Sequence, residues 1–104
     1  DWTYVEDTAA GICGLLLAEK LNYTVYNVSS SMNASLETMA QAVKKCCPDF
    51  EYEFTDRREE SNIFADLEDM RGALSVERLS EDTGYKVEYD IFAGIEAYYR
   101  SSQK

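Results

Sequence analysis

The chain has no histidine. That absence removes the usual general base of nucleophile–base pairs and the commonest nitrogen ligand of zinc. No C-x-x-C pair exists either. The three cysteines are Cys13, Cys46 and Cys47. An odd count with two adjacent is a poor disulfide framework, because neighbouring cysteines bridge only with backbone strain. No metal site is expected, and a reduced, cytoplasmic setting fits best. No apolar run approaches the ~20 residues of a bilayer span, and the first residues lack the basic stretch that opens a signal peptide. Cations are scarce: ten Lys plus Arg face twenty Asp plus Glu, a net charge of −10. Such a chain repels nucleic acid, so neither nucleic acid nor membrane is an expected partner. No internal repeat, low-complexity segment or linker divides the sequence.

What is present suits one small domain spanning 1–104. The apolar fraction of 45% is ordinary for a globular chain. "DWTYVED" reads as a short strand or extended lead-in ending at Asp7, a good N-cap. In "TAAGICGLLLAEKL" Ala10, Cys13, Leu17 and Leu21 share a helical face that Ile12, Leu15 and Leu16 broaden, which predicts burial of most of the circumference. Cys13 reads there as core packing. "NYTVYNVSS" predicts a strand. "NASLETMAQAVKKCC" predicts a helix capped by Ser35, with Leu36, Met39, Ala40, Val43 and Cys47 at helical spacing, stopped by Pro48. "FEYEF" alternates like a half-buried strand. "TDRREESN" has no apolar period and reads as a loop, and "IFADLEDMRG" is ambiguous. "ALSVERLSEDTG" predicts a short helix begun near Ser75 and closed by Gly84. "YKVEYD" is extended. Asp90 caps "IFAGIEAYYRS", with Ile91, Ile95 and Tyr98 or Tyr99 facing inward. Helices alternating with short strands predict an α/β or small α+β domain.

Candidate chemistry is sparse. Asp66, Glu68 and Asp69 cluster without the glycine and ligand spacing of a calcium loop. Gly11 and Gly14 lie within a predicted helix, not at a strand-to-helix turn, so they read as close-packing positions and not as a dinucleotide fingerprint. N-x-[ST] triplets begin at Asn22, Asn27 and Asn33; they read as chance, with Asn27 expected in a buried strand. Eight tyrosines are many for this length. They suit a surface covered by another part of a protein better than reactive phenols. Arg57 and Arg58 stand out in so acidic a chain. Two readings remain open on charge alone: a salt-bridge web with Asp56, Glu59 and Glu60, or a fork that grips a phosphate or diphosphate.

The order "DWTYVEDTAAGI", helix, "VYNVSS...SLETMAQAV", "YEFTDRREES", "RGALSVERLSEDTGYKVEYDIFAGIEAYY" resembles the carboxyl-terminal part of the extended short-chain dehydrogenases/reductases. These are NAD-dependent sugar-nucleotide epimerases and dehydratases, isomerases or oxidoreductases that abstract a hydride from the sugar and return it. The resemblance covers essentially the whole chain and implies a C-terminal substrate-binding domain. The family's cofactor fingerprint and its Y-x-x-x-K pair are absent, since none of the tyrosines has Lys four positions on. No catalytic or cofactor-binding residue is therefore expected here, and NAD or NADP would belong to a missing N-terminal Rossmann domain. The resemblance places Arg58, with Arg57 beside it, on the diphosphate of a nucleotide-sugar. It places Ser61 where relatives carry a ribose-binding Asp, and a second family arginine just ahead of Asp1. Without its Rossmann partner such a domain exposes apolar surface, so a homo-oligomer is an expectation, with Trp2 and Tyr4, or Tyr98 and Tyr99, as candidate edges. The alternatives are a non-catalytic interaction or scaffold domain of related architecture, or an acidic protein that acts alone.

Overall fold

The computed structural model describes residues 1–63 and 72–103. They form four α-helices and one 3-10 turn: α1 (Val5–Leu17), α2 (Leu36–Cys46), the turn Arg58–Glu60, α3 (Glu77–Thr83) and α4 (Ile91–Ser102). The expectation of an α/β or α+β domain is overturned, because no strand forms among the described residues. A strand is defined by the neighbour that completes its ladder. Alternation fixes which side chains share a face and supplies no such neighbour. Among the described residues one backbone bond, Trp2 N–H to the Met32 carbonyl at 3.4 Å, joins two extended stretches.

Side chains take over the work of a ladder. Asp7, expected as the α1 cap, lies inside the first turn, and Tyr4 holds the cap position with no side-chain bond. The Asp7 carboxylate instead accepts from the backbone N–H of Glu88 and Tyr89, both at 3.0 Å. Asp1 accepts from Ser29 Oγ at 2.5 Å and from the Leu74 N–H at 2.8 Å. The Tyr85 hydroxyl donates to the Ser29 carbonyl at 3.1 Å. Ser31, at φ 56°, holds the left-handed turn that follows.

The helix termini follow local chemistry. Thr38 N–H donates to Ser35 Oγ at 3.1 Å, and Ala93 N–H to Asp90 Oδ1 at 2.8 Å. Gly84 closes α3 at φ 74°, its N–H bonded to the Ser80 carbonyl at 2.9 Å. That helix begins at Glu77, two residues after the expected Ser75. Tyr98 is exposed and Tyr99 half-buried.

α1 packs on α3, and α2 on α4. Tyr4 connects the two pairs. Its Cβ lies 3.2 Å from where a Cβ on Gly94 would stand, and its ring centroid is 4.6 Å from that of Tyr89. α1 buries Asp7 and Gly11, while Val5, Ile12, Cys13, Leu16 and Leu17 face outward. The expected inward faces of Cys13 and Leu17 are thus corrected. The physical reason is close approach, since α1 presents the side with no bulk. A Cβ on Gly11 would meet Val28 Cγ1 at 2.6 Å and Leu79 Cδ2 at 3.4 Å. Gly11→Ala gains about 1 kcal/mol of helix propensity but drives a methyl into a stiff β-branched side chain. We expect a net loss of about 1 kcal/mol by urea unfolding, recovered when Val28→Ala is added.

Among the described residues the buried apolar ones are few: Ala42, Leu79 and Tyr85. The Cα extents are 50 × 37 × 16 Å, and the radius of gyration is 16.5 Å. A chain of this length ordinarily has about 13 Å. Its accessible surface is 8272 Å², roughly 2,400 Å² above the value usual for a folded monomer of this mass. The molecule is a thin layer with much apolar surface exposed.

Candidate functional site

The arginine pair sits at the turn that follows "FEYEF". The Arg57 N–H donates to Thr55 Oγ1 at 3.1 Å, opening the turn. The N–H groups of Glu60 and Ser61 then donate to the carbonyls of Arg57 and Arg58, both at 3.1 Å. This winding brings Arg57 Nη1 to 3.2 Å from Glu60 Oε1, while Thr55 Oγ1 donates to Glu60 Oε2 at 3.3 Å. Both side chains of the ion pair are more than half exposed, so it stabilises by less than about 1 kcal/mol. Arg57 therefore belongs to a charge web, and an incoming anion must compete with Glu60 for it. Arg58 is exposed and also engaged. The Ser61 hydroxyl donates to the Ile63 carbonyl. The three expected substrate residues thus share one turn, with Arg57 and Ser61 turned toward the chain itself.

Matching this chain to family models, to curated proteins and to solved structures returns no match.

The glycines that could have cradled a dinucleotide do not fit one. Gly11 is buried within α1 under Val28 and Leu79, and Gly14 faces Thr83 Cβ. Neither lies at the strand-to-helix turn whose free amides hold a pyrophosphate. No group of three His, Cys, Asp or Glu stands ready for a metal among the described residues. The acidic cluster at 66, 68 and 69 and most of "IFADLEDMRG" lie outside those residues. No helix among the described residues is long and apolar enough to cross a membrane.

A second polar centre escaped the sequence. Asp82 on α3 accepts from the Tyr26 hydroxyl, from the Asn22 N–H at 2.9 Å and from Asn22 Nδ2 at 2.6 Å. The Tyr26 bond foremost, then those of Asn22, hold its carboxyl below the ordinary 3.8. Desolvation, then the bond to Asp82, push the Tyr26 phenol up. A depressed carboxyl stabilises the fold above its unfolded pKa and loses that contribution as pH falls through the folded value. The 22–26 loop should therefore loosen from α3 only in acid below the ordinary carboxyl value, as Asp82 takes up its proton. Tyrosine and asparagine NMR shifts would follow this release, and in Asp82→Asn the acid step should vanish. The Tyr89 phenol, bonded to Glu6 at 2.6 Å, is pushed up to about 12 chiefly by that bond. Neither tyrosine is poised to lose a proton near neutrality.

Between α2 and α4 lies a groove of about 510 Å³. Ala42, Cys46 and Phe92 line it, with Lys45 Nζ 5.8 Å from the centre of the Phe92 ring. Its two cations, Lys45 and Arg100, are balanced by Asp90 and Glu96, and Arg100 pairs with Glu96 at 2.6 Å. None of its lining residues belongs to the arginine turn. Asn27, expected in a buried strand, is exposed in a loop, where its Nδ2 donates to the Ser75 carbonyl at 3.1 Å.

Proposed function

We propose that this chain is the substrate-binding C-terminal domain of a cytoplasmic NAD- or NADP-dependent sugar-nucleotide epimerase or dehydratase. One observation carries the reading: the outward apolar stripe of α1, set in a layer with roughly 2,400 Å² of surplus surface. Val5, Ile12, Leu16 and Leu17 are 48–83% exposed on that stripe. Water penalises such a stripe, and a covering domain removes the penalty. In the proposed enzyme that domain supplies the cofactor site and the catalytic residues, none of which this chain carries. The chain's own contribution is to bind. Arg58 meets the diphosphate as a fixed cation, and the Thr55–Glu60 turn holds it at the end of the 50–54 segment. Three free cysteines suit the reducing setting.

The test uses the gene product together with whatever precedes Asp1. That preceding region should contain a glycine fingerprint and Y-x-x-x-K. Calorimetric titration with a nucleoside diphosphate should show Arg58→Ala binding tenfold or more weakly, the loss of a charge-assisted contact. Arg57→Ala should bind within about threefold of the parent, because the resemblance places Arg58 and not its neighbour on the diphosphate. Unchanged affinity in Arg58→Ala would sink the diphosphate role. Absence of a cofactor domain would favour the scaffold reading.

A further inference from the structure

The segment Phe50–Phe54 has an organisation that the arginine turn does not use. Its three aromatic rings form a row: Phe50 and Tyr52 stack with centroids 5.8 Å apart, and Tyr52 and Phe54 meet edge-on at 5.5 Å. Contact at i, i+2 and i+4 is the arrangement of an extended backbone, whose side chains alternate between faces. Glu51 and Glu53 therefore occupy the other face. All five residues are exposed. Both ends of the segment are pinned. At one end the Phe50 N–H donates to the Cys47 carbonyl at 2.9 Å, and Lys44 Nζ donates to the Phe50 carbonyl at 2.8 Å. At the other end Thr55 receives the Arg57 N–H at 3.1 Å. Between the pins, the backbone groups of 51–54 make no hydrogen bond to another described residue. Among the described residues this is an isolated extended segment with unpaired backbone edges, an aromatic face and an acidic face.

We propose that residues 50–54 take up a partner strand in which cationic and apolar residues alternate. Main-chain bonds to an open edge supply affinity, and the alternate side chains supply selectivity. The aromatic row would pack on the apolar residues, and Glu51 and Glu53 would lie opposite Lys or Arg. A second copy of this chain does not fit. "FEYEF" is a palindrome, so antiparallel self-pairing about Tyr52 sets Glu51 against Glu53 on both sides. Parallel pairing in register stacks each glutamate on itself. Like charges directly opposed destabilise a pair, and the whole chain carries −10. The proposal does not depend on the enzymatic reading above.

The test is a titration of the chain with three short peptides, followed by amide NMR and fluorescence anisotropy. One alternates Lys and Val, one alternates Glu and Val, and one is the Lys/Val peptide N-methylated at every residue. We expect the Lys/Val peptide to bind, to slow hydrogen exchange at amides within 51–54, and to weaken as salt rises. The Glu/Val peptide should bind at least about tenfold more weakly, and the N-methylated peptide should not protect those amides. Glu51→Lys with Glu53→Lys should reverse the preference; because both side chains are exposed, the fold should survive the exchange. Equal binding of the Lys and Glu peptides would overturn the proposal. So would binding that survives N-methylation, slow exchange at 51–54 in the chain alone, or self-association lost on replacing Tyr52 with Lys.

Discussion

Asp7→Ala should loosen the molecule more than any other single change to a charged residue. Asp7 is 2% exposed, and its carboxylate accepts two backbone N–H groups from the segment that leads into α4. Removing it leaves both part-buried donors without their acceptor. Bonds to a charged group contribute about 1.5–3 kcal/mol each, and orphaned donors add their own cost. On the helix alone the change is favourable, because Ala outranks Asp in propensity by about 0.5 kcal/mol. The tertiary loss wins, and we expect a net destabilisation on the order of 3 kcal/mol by urea unfolding. Amide exchange at Glu88 and Tyr89 should accelerate roughly a hundredfold. Asp7→Asn keeps one acceptor oxygen and should fall about halfway. If both exchange rates stay unchanged in Asp7→Ala, Asp7 is not what holds the 85–90 segment.

That same residue shows where sequence reasoning reaches and where it stops. Ser35, Asp90 and Gly84 were legible as helix boundaries because capping is a bargain struck among three or four neighbouring residues. Asp7 carries an identical local signal, and its partners lie some eighty positions away. Nothing in "VEDTAA" points to them. The stretches "NYTVYNVSS", "FEYEF" and "YKVEYD" fail for a related reason. Their alternation correctly sorts side chains onto two faces, as the row of Phe50, Tyr52 and Phe54 attests. Whether a ladder forms depends on a neighbour that the alternation does not specify. The arginine pair was legible as a pair. Its commitment to Glu60 required the 3-10 winding, which sets residues three apart on one side. The α1 helix misled because it is apolar nearly all round. Such a helix gives no preferred face, and the close approach of Gly11 to Val28 and Leu79 chose one against bulk.

That choice of face yields a pair of leucine truncations with opposite expectations. Leu79 on α3 is 0% exposed and packs against Gly11, whereas Leu16 on α1 is 79% exposed. Leu79→Ala should cost about 2–5 kcal/mol, since it opens a cavity where a buried side chain stood. Among the described residues Ala42 and Tyr85 are the other buried apolar ones, so little packed core surrounds the void. We therefore expect the upper part of that range, with loss of the α1–α3 contact seen as collapse of the Leu79 and Tyr85 NMR signals. Leu16→Ala should change the stability of the dilute chain by no more than about 0.5 kcal/mol. Yet Leu16 belongs to the stripe that a covering domain would bury, so the same truncation should weaken that assembly by about 1–3 kcal/mol. Urea unfolding of both variants, at low and at high protein concentration, separates the cases. A large cost of Leu16→Ala that disappears on dilution would mean that the stripe is covered by a second copy. A large cost that persists on dilution would mean that α1 turns its leucines inward after all, and the outward stripe would have to be abandoned.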